Sequence, residues 1–190
     1  YNADKEEVGG YGGSLAKIDE RIKMTHLGEV NRARMCPHNP FIIATKSPVA
    51  GSVFIFDYSK HSSSPPPEPR PNHTCLGHTA EGYGLDWSPL SKLHLLSGSD
   101  DARICLWDVN NAGPQVSAIS TWTGHDSVVE DVDWHHFSPH LFGSVGDDKS
   151  FCLWDTRKAS ENKAAQVVNE AHSDDINCVE FNPLNQYLVA

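Results

Sequence analysis

Gly124-His125-Asp126-Ser127-Val128-Val129-Glu130-Asp131-Val132-Asp133-Trp134, followed by Ser144 and Asp148 and closed by Phe151-Cys152-Leu153-Trp154-Asp155, is the stretch that decides the fold. Counting from His125, an apolar Trp134 stands nine residues on, Ser144 nineteen, Asp148 twenty-three and Trp154 twenty-nine. The same count from His78 meets Trp87, Ser97, Asp101 and Trp107. From His26 it meets Met35 and Thr45, and from His172 it meets Phe181. The histidines are 52, 47 and 47 residues apart, and the 5-residue excess fits in the Pro/Ser stretch Ser62–Pro71, which reads as a loop. A register repeated at this period is the mark of a repeat architecture.

Between these marks the chain reads as short strands. Phe41–Thr45, Ser52–Asp57, Leu93–Ser97, Arg103–Trp107, Leu141–Val145 and Phe151–Trp154 are apolar or β-branched and bounded by Gly, Asp, Ser or Pro. Ile18, Ile22 and Met24, evenly spaced, suggest a further strand. No segment offers an amphipathic helix of three turns. The period and the Gly-His and Trp-Asp pairs resemble WD40 repeats, so the expected class is all-β. The expected architecture is a WD40 β-propeller fragment of about three four-stranded blades plus part of a fourth. The expected divisions are 1–25 (a loop and the outer strand of a preceding blade), blades at 26–77, 78–124 and 125–171, and the start of another at 172–190. The opening at Tyr1 and the apolar close Leu188-Val189-Ala190 suggest cut ends.

In the arrangement the chain resembles, a Trp donates to a Ser or Thr, that hydroxyl bonds the histidine, and the histidine bonds an Asp in a tight turn. Such a line satisfies each buried polar group with the next. The expected lines are Trp107–Ser97–His78–Asp101 and Trp154–Ser144–His125–Asp148. The first blade keeps His26 and Thr45, but Phe56 stands for the Trp and Val49 for the Asp. A Ser–His–Asp set invites a hydrolase reading, yet a catalytic triad occurs once, whereas this set recurs with the repeat. No catalytic residue is therefore assigned. Gly9-Gly10-Tyr11-Gly12-Gly13 lacks the strand and helix of a dinucleotide loop and reads as a flexible connection. His135-His136 lacks a third ligand at sensible spacing, so neither metal nor cofactor is expected.

With 15 Lys and Arg against 25 Asp and Glu, the formal net charge is −10. That sign repels phosphate backbones and anionic membranes and suits a basic partner. No stretch approaches the ~18 apolar residues of a membrane span. Five cysteines without a CxxC pair fit reduced, buried thiols of a cytosolic or nuclear protein.

Residues three and five after each histidine share a side at the start of the innermost strand. They are Glu29 and Asn31, Glu81 and Tyr83, Val128 and Glu130, and Asp175 and Asn177, with Arg32 next in line. Four are carboxylates and only Val128 is apolar. Gathered at a channel mouth, they would attract Lys or Arg of an extended peptide.

The segments Gly28-Glu-Val-Asn-Arg-Ala-Arg34, Ile42-Ile-Ala-Thr-Lys46, Gly77-His78 with Glu81-Gly-Tyr-Gly-Leu85, Gly124-His125 with Val128-Val-Glu-Asp-Val132, and Trp154-Asp-Thr-Arg157 resemble the retinoblastoma-associated histone-binding WD-repeat proteins. The similarity runs over essentially the whole chain. It implies a seven-bladed, nuclear, non-enzymatic scaffold that binds core histones H3 and H4. Such a scaffold is shared among chromatin-assembly, deacetylase, remodelling and Polycomb complexes. The implied tail-binding residues are Glu29, Asn31, Arg32, Glu81, Tyr83, Glu130, Asp175 and Asn177. Asp175 stands where the family has Glu, with the same charge and a shorter reach. The family's second histone site, an N-terminal helix and a late loop, has no counterpart here. An alternative reading comes from Trp154-Asp155-Thr156-Arg157, which matches the WDxR element of substrate receptors that dock to a cullin-ligase adaptor through an Arg, here Arg157.

Overall fold

A computed structural model describes residues 20–110 and 112–190 of the chain. The run Gly9–Gly13 and Ile18 lie outside those residues. Three sheets form in succession. The first blade runs β1 (Arg32–Met35), β2 (Ile42–Lys46), β3 (Val53–Asp57) and β4 (His73–Leu76). The second runs β5 (Leu85–Trp87), β6 (His94–Gly98), β7 (Ile104–Asp108) and β9 (Ser120–Trp122), with β8 (Gln115–Ser117) lying between β7 and β9 in the chain. The third runs β10 (Val129–Trp134), β11 (Leu141–Gly146), β12 (Phe151–Asp155) and β13 (Gln166–Val168). Each sheet is antiparallel from its inner strand outward, and β5 packs between β1 and β10. These are three blades of a β-propeller.

The second blade explains why its strands read as continuous apolar runs. Leu95, Cys105 and Trp107 pack with Ala44, Val53 and Ile55 of the first blade. Leu96, Ile104 and Leu106 turn the other way, onto Val132, Trp134, Phe142 and Trp154 of the third. Adjacent residues of one strand therefore feed two different cores, the expected pattern for a sheet covered on both faces.

One element departs from four strands per blade. The chain leaving β7 crosses to the first blade, where β8 adds a fifth strand parallel to β4, pairing Cys75 with Val116. It then returns so that β9 pairs with β7 as the outer strand of its own blade. The next blade does something similar. Past β12, Asn162 reaches back to the second blade, its Oδ1 accepting from the Thr123 N–H (2.9 Å) and its Nδ2 donating to Thr123 Oγ1 (2.6 Å). Both crossings tie a blade to the outer edge of the one before it.

Among the described residues no strand precedes Arg32, so the strand expected through Ile22 and Met24 does not form. A strand needs a row of backbone partners. This segment is held instead by side chains, Thr25 Oγ1 donating to the Pro66 carbonyl (2.5 Å) and His26 Nε2 meeting Thr45 Oγ1 (2.8 Å). After β13 a fourth inner ladder begins, Glu180 and Ala190 exchanging backbone hydrogen bonds around the Phe181–Val189 bridge. Among the described residues no helix is long and apolar enough to cross a membrane.

Candidate functional site: an acidic rim over the inner strands

The third blade carries an unbroken polar line inside its core. Trp154 Nε1 donates to Ser144 Oγ (2.7 Å), Ser144 Oγ meets His125 Nε2 (2.6 Å), and His125 Nδ1 meets Asp148 (2.8 Å). Trp154, Ser144 and His125 are buried. The Asp148 carboxylate closes the turn by accepting from the Asp126 and Ser150 N–H groups. Burial opposes its charge, but bonds from Ser150 and His125 outweigh that and hold it below the usual carboxylate range.

The second blade differs from the expected line. Trp107 Nε1 donates to the Leu76 carbonyl (3.0 Å), not to Ser97. His78 Nε2 meets the Ser97 carbonyl (3.2 Å), not its hydroxyl. The cause is Lys46 of β2, which is 0% exposed and reaches between the blades. Its Nζ donates to Ser97 Oγ (2.6 Å) and to the Gly98 carbonyl. Burial brings the ammonium down to about 7, against the pull of Asp101, Cys105 and Asp100. The His78–Asp101 contact remains at 3.2 Å. Burial disfavours charge on Asp101, yet bonds from His78 and the Thr79 N–H bring its carboxyl down to about 2. Burial, and behind it the charge on Lys46, hold His78 below the ordinary histidine value despite Asp101.

Apart from Arg32, the expected peptide-binding residues sit at the ends of the blades where these turns lie. Asn31 Nδ2 donates to Glu81 Oε2 (3.1 Å) and to the Gly82 carbonyl (3.3 Å), joining the first two blades. The Glu81 carbonyl accepts from the Asp100 N–H (2.9 Å), and the Val128 carbonyl from the Asp147 N–H (3.2 Å). Tyr83 is 47% exposed. Its flanking glycines let the backbone lie flat on the turn: a Cβ on Gly82 would stand 2.7 Å from Ser99 Cα, at a φ of +152°.

Glu130 is pushed above the ordinary glutamate value by burial and then by Asp147, Asp100, Asp131 and Asp175. Asp147 is likewise raised, by burial and by Asp175, Asp100 and Asp148. Glu130 and Asp175 thus share one negative field. Asp100 and Asp147 belong to it although the count of three and five residues from each histidine does not reach them. Their signal was present in the doublets Asp100-Asp101 and Asp147-Asp148, which stand at one register of the repeat. Glu29 and Asn177 are exposed, and no hydrogen bond among the described residues ties either to the other rim positions. Arg32 falls below the rim. With Arg34, Asp86, Asp131, Asp133 and Glu180 it lines a cavity of about 490 Å³ along the inner strands.

Two carboxylates in that cavity link consecutive blades. Asp86 accepts from the Trp134 N–H (2.9 Å), and Asp133 from the Phe181 N–H (2.6 Å). Burial pushes Asp86 well above its usual value, and the Asp133 charge adds to it; burial raises Asp133 as well. His136 lines the same cavity, whereas His135 is buried, its Nδ1 accepting from the Phe137 N–H (3.0 Å). The two neighbouring histidines thus lie in different surroundings. Four cysteines are buried free thiols, with burial pushing Cys75 up to about 12, and Cys178 is exposed.

Arg157 lies at the opposite end of the third blade from the rim, since β12 ends at Asp155, paired with Leu141, while the rim end pairs Val129 with Gly146. Its guanidinium forks onto Asp155 (Nε 2.9 Å, Nη2 2.6 Å), which holds an otherwise 66% exposed side chain in place.

A family model described as "WD domain, G-beta repeat" matches residues 69–108, 117–155 and 165–190. The first two segments each contain the outer strand of one blade and the three inner strands of the next, so the sequence repeat is offset from the structural blade and stitches neighbours together. Repeats of this kind build protein-interaction scaffolds. The matched segments span more than half of the 190 residues, and the chain belongs to the WD-repeat family.

Proposed function

We propose that the chain is a histone-binding scaffold, of the retinoblastoma-associated type, that takes the basic tails of H3 and H4 at its acidic rim. On this reading it works in the nucleus as a subunit of chromatin assembly, deacetylase, remodelling or Polycomb-type complexes. The carboxylate field around Glu130 carries the reading. Burial and four neighbouring aspartates raise its pKa, so a cation placed there relieves a repulsion already present. Glu81, fixed by Asn31, and exposed Tyr83 extend the rim with groups that bond peptide backbone. A flexible, cationic, unfolded tail has the charge and the conformational freedom such a rim needs.

Calorimetry of the protein with H3 and H4 tail peptides tests this. Binding should weaken as salt is added, and Glu81→Lys with Glu130→Lys should abolish it while leaving the melting curve of the fold in place. Unchanged affinity in the double variant would remove the rim from the mechanism.

A second reading rests on Arg157, whose fork to Asp155 fixes an exposed cation at the opposite end: docking to a cullin-ligase adaptor. A pull-down separates the two. Retention of the adaptor with loss on Arg157→Ala, and no retention of core histones, would favour ligase docking.

A further inference from the structure

We propose that Ser64 is a phosphorylation site for a proline-directed Ser/Thr kinase, and that its phosphate is received by Lys60, His61 and Arg70 of the loop that carries it. The loop Ser62-Ser-Ser-Pro-Pro-Pro-Glu-Pro-Arg-Pro71 joins β3 to β4. Of its three serines only Ser64 precedes a proline. Pro65 has no N–H, and its ring biases Ser64 towards an extended backbone, the shape a kinase cleft accepts. Ser64 is exposed.

The loop is anchored at both ends. The Asp57 N–H donates to Asn72 Oδ1 (2.7 Å), the Asn72 N–H to the Ile55 carbonyl (2.8 Å), and Lys60 pairs with Asp57 (3.0 Å). Thr25 Oγ1 holds the Pro66 carbonyl, and Ser62 Oγ holds the Ser64 carbonyl (2.5 Å each). Between these anchors lies a cavity of about 440 Å³ whose lining includes Lys60, His61, Arg70, Ser62 and Ser64. The serine to be modified and three basic side chains thus border one space. A phosphoserine carries about −1.5 to −2 charges and three acceptor oxygens, and an arginine beside it binds those oxygens in pairs.

In the transfer, Ser64 Oγ bonds the γ-phosphorus of ATP, and that phosphorus parts from the bridging oxygen to the β-phosphate. ADP leaves with the electron pair, and the hydroxyl proton passes to the kinase's carboxylate base. The loop leaves β3 at Asp57, paired with Ile42, whereas the rim residue Asn31 adjoins the end where Arg32 pairs with Lys46. The modification therefore lies at the far end of the blade from the acidic rim.

The test treats the full chain with a proline-directed kinase and ATP and maps the product by mass spectrometry. One phosphate on Ser64 is expected, lost in Ser64→Ala and kept in Ser62→Ala. With phosphoserine placed at position 64 during synthesis, phosphorus NMR should show the phosphate titrating below the value of about 6 seen in a free phosphopeptide. Lys60→Gln with Arg70→Gln should return it to the peptide value. Failure to incorporate phosphate at Ser64, or a resonance that titrates as in the peptide whatever stands at 60 and 70, overturns the proposal.

Discussion

Lys46 of the first blade donates its ammonium protons to Ser97 of the second across 2.6 Å, and in doing so takes the hydroxyl that the third blade gives to its own Trp154 and His125. Two neighbouring blades with the same four residue types therefore run different polar circuits. One closes on itself, and the other is opened to fasten the blade beside it.

This predicts a pH signature for Lys46. An unfolded lysine keeps its proton to about 10.5, whereas the buried one releases it at about 7. Between those values the unfolded chain binds more protons, so stability rises with pH, with a limiting slope of about 1.4 kcal/mol per pH unit. Denaturant titrations between pH 7 and about 7.7, below the pH at which the thiols of the unfolded chain ionise, should show the rise in the parent protein and its loss in Lys46→Met. A parent and variant of equal slope would mean that the ammonium stays charged in its buried position.

The two circuits should also differ in coupling. Ser144→Ala strands both the indole N–H of Trp154 and the ring of His125, at a cost of about 1–3 kcal/mol. Because Trp154 and Ser144 share a bond, Ser144→Ala with Trp154→Phe should show an interaction energy of about 1 kcal/mol or more in a double-mutant cycle. Ser97→Ala with Trp107→Phe should add to within about 0.5 kcal/mol, since Trp107 donates to Leu76 instead. Equal coupling in both blades would contradict the rewiring.

That difference was not legible in the sequence, although the sheets largely were. The marks around His78 and His125 locate β5 to β7 and β10 to β12 because apolar runs buried on both faces and tight Asp turns constrain those strands locally. Lys46 follows the expected strand Phe41–Thr45, and nothing in the sequence marks it as buried. Only the approach of the second blade converts it into a buried donor. The outer strands β4, β9 and β13 are three or four residues long, too short for a periodic signal, and β8 owes its place to another blade's free edge. At the rim, the histidine count reached Asn31, Glu81, Glu130 and Asp175 through the inner strand. It passed over Asp100 and Asp147, which come from the turn between the second and third strands of their blades and enter the same field through folding.

The Asp86–Asp133 pair supplies a third prediction. Asp86→Asn keeps an oxygen for the Trp134 N–H and removes the repulsion with Asp133. The folded pKa of Asp86 is raised, so the folded chain binds more protons than the unfolded one above the ordinary value of 3.8, and that stability is lost as pH climbs through the raised value. The variant should therefore melt at a higher temperature than the parent at neutral pH, with the gap closing as pH falls towards 3.8. A variant that melts lower at neutral pH would show that the proton between the two carboxyls holds the blades together better than an amide does.

The rim itself should respond to protons when it is occupied. Glu130 has a raised pKa because burial and Asp147, Asp100, Asp131 and Asp175 disfavour its charge. A bound lysine or arginine favours the charged form, lowers that pKa and expels whatever proton Glu130 retains. Affinity for a cationic tail should accordingly fall as pH drops through the raised value, and binding in that range should release protons. Calorimetry in two buffers of different ionisation heat counts the protons, and Glu130→Gln should bring the count down while weakening binding at neutral pH. Tail binding with no proton release in the parent, and none lost in the variant, would place the peptide's cations away from Glu130.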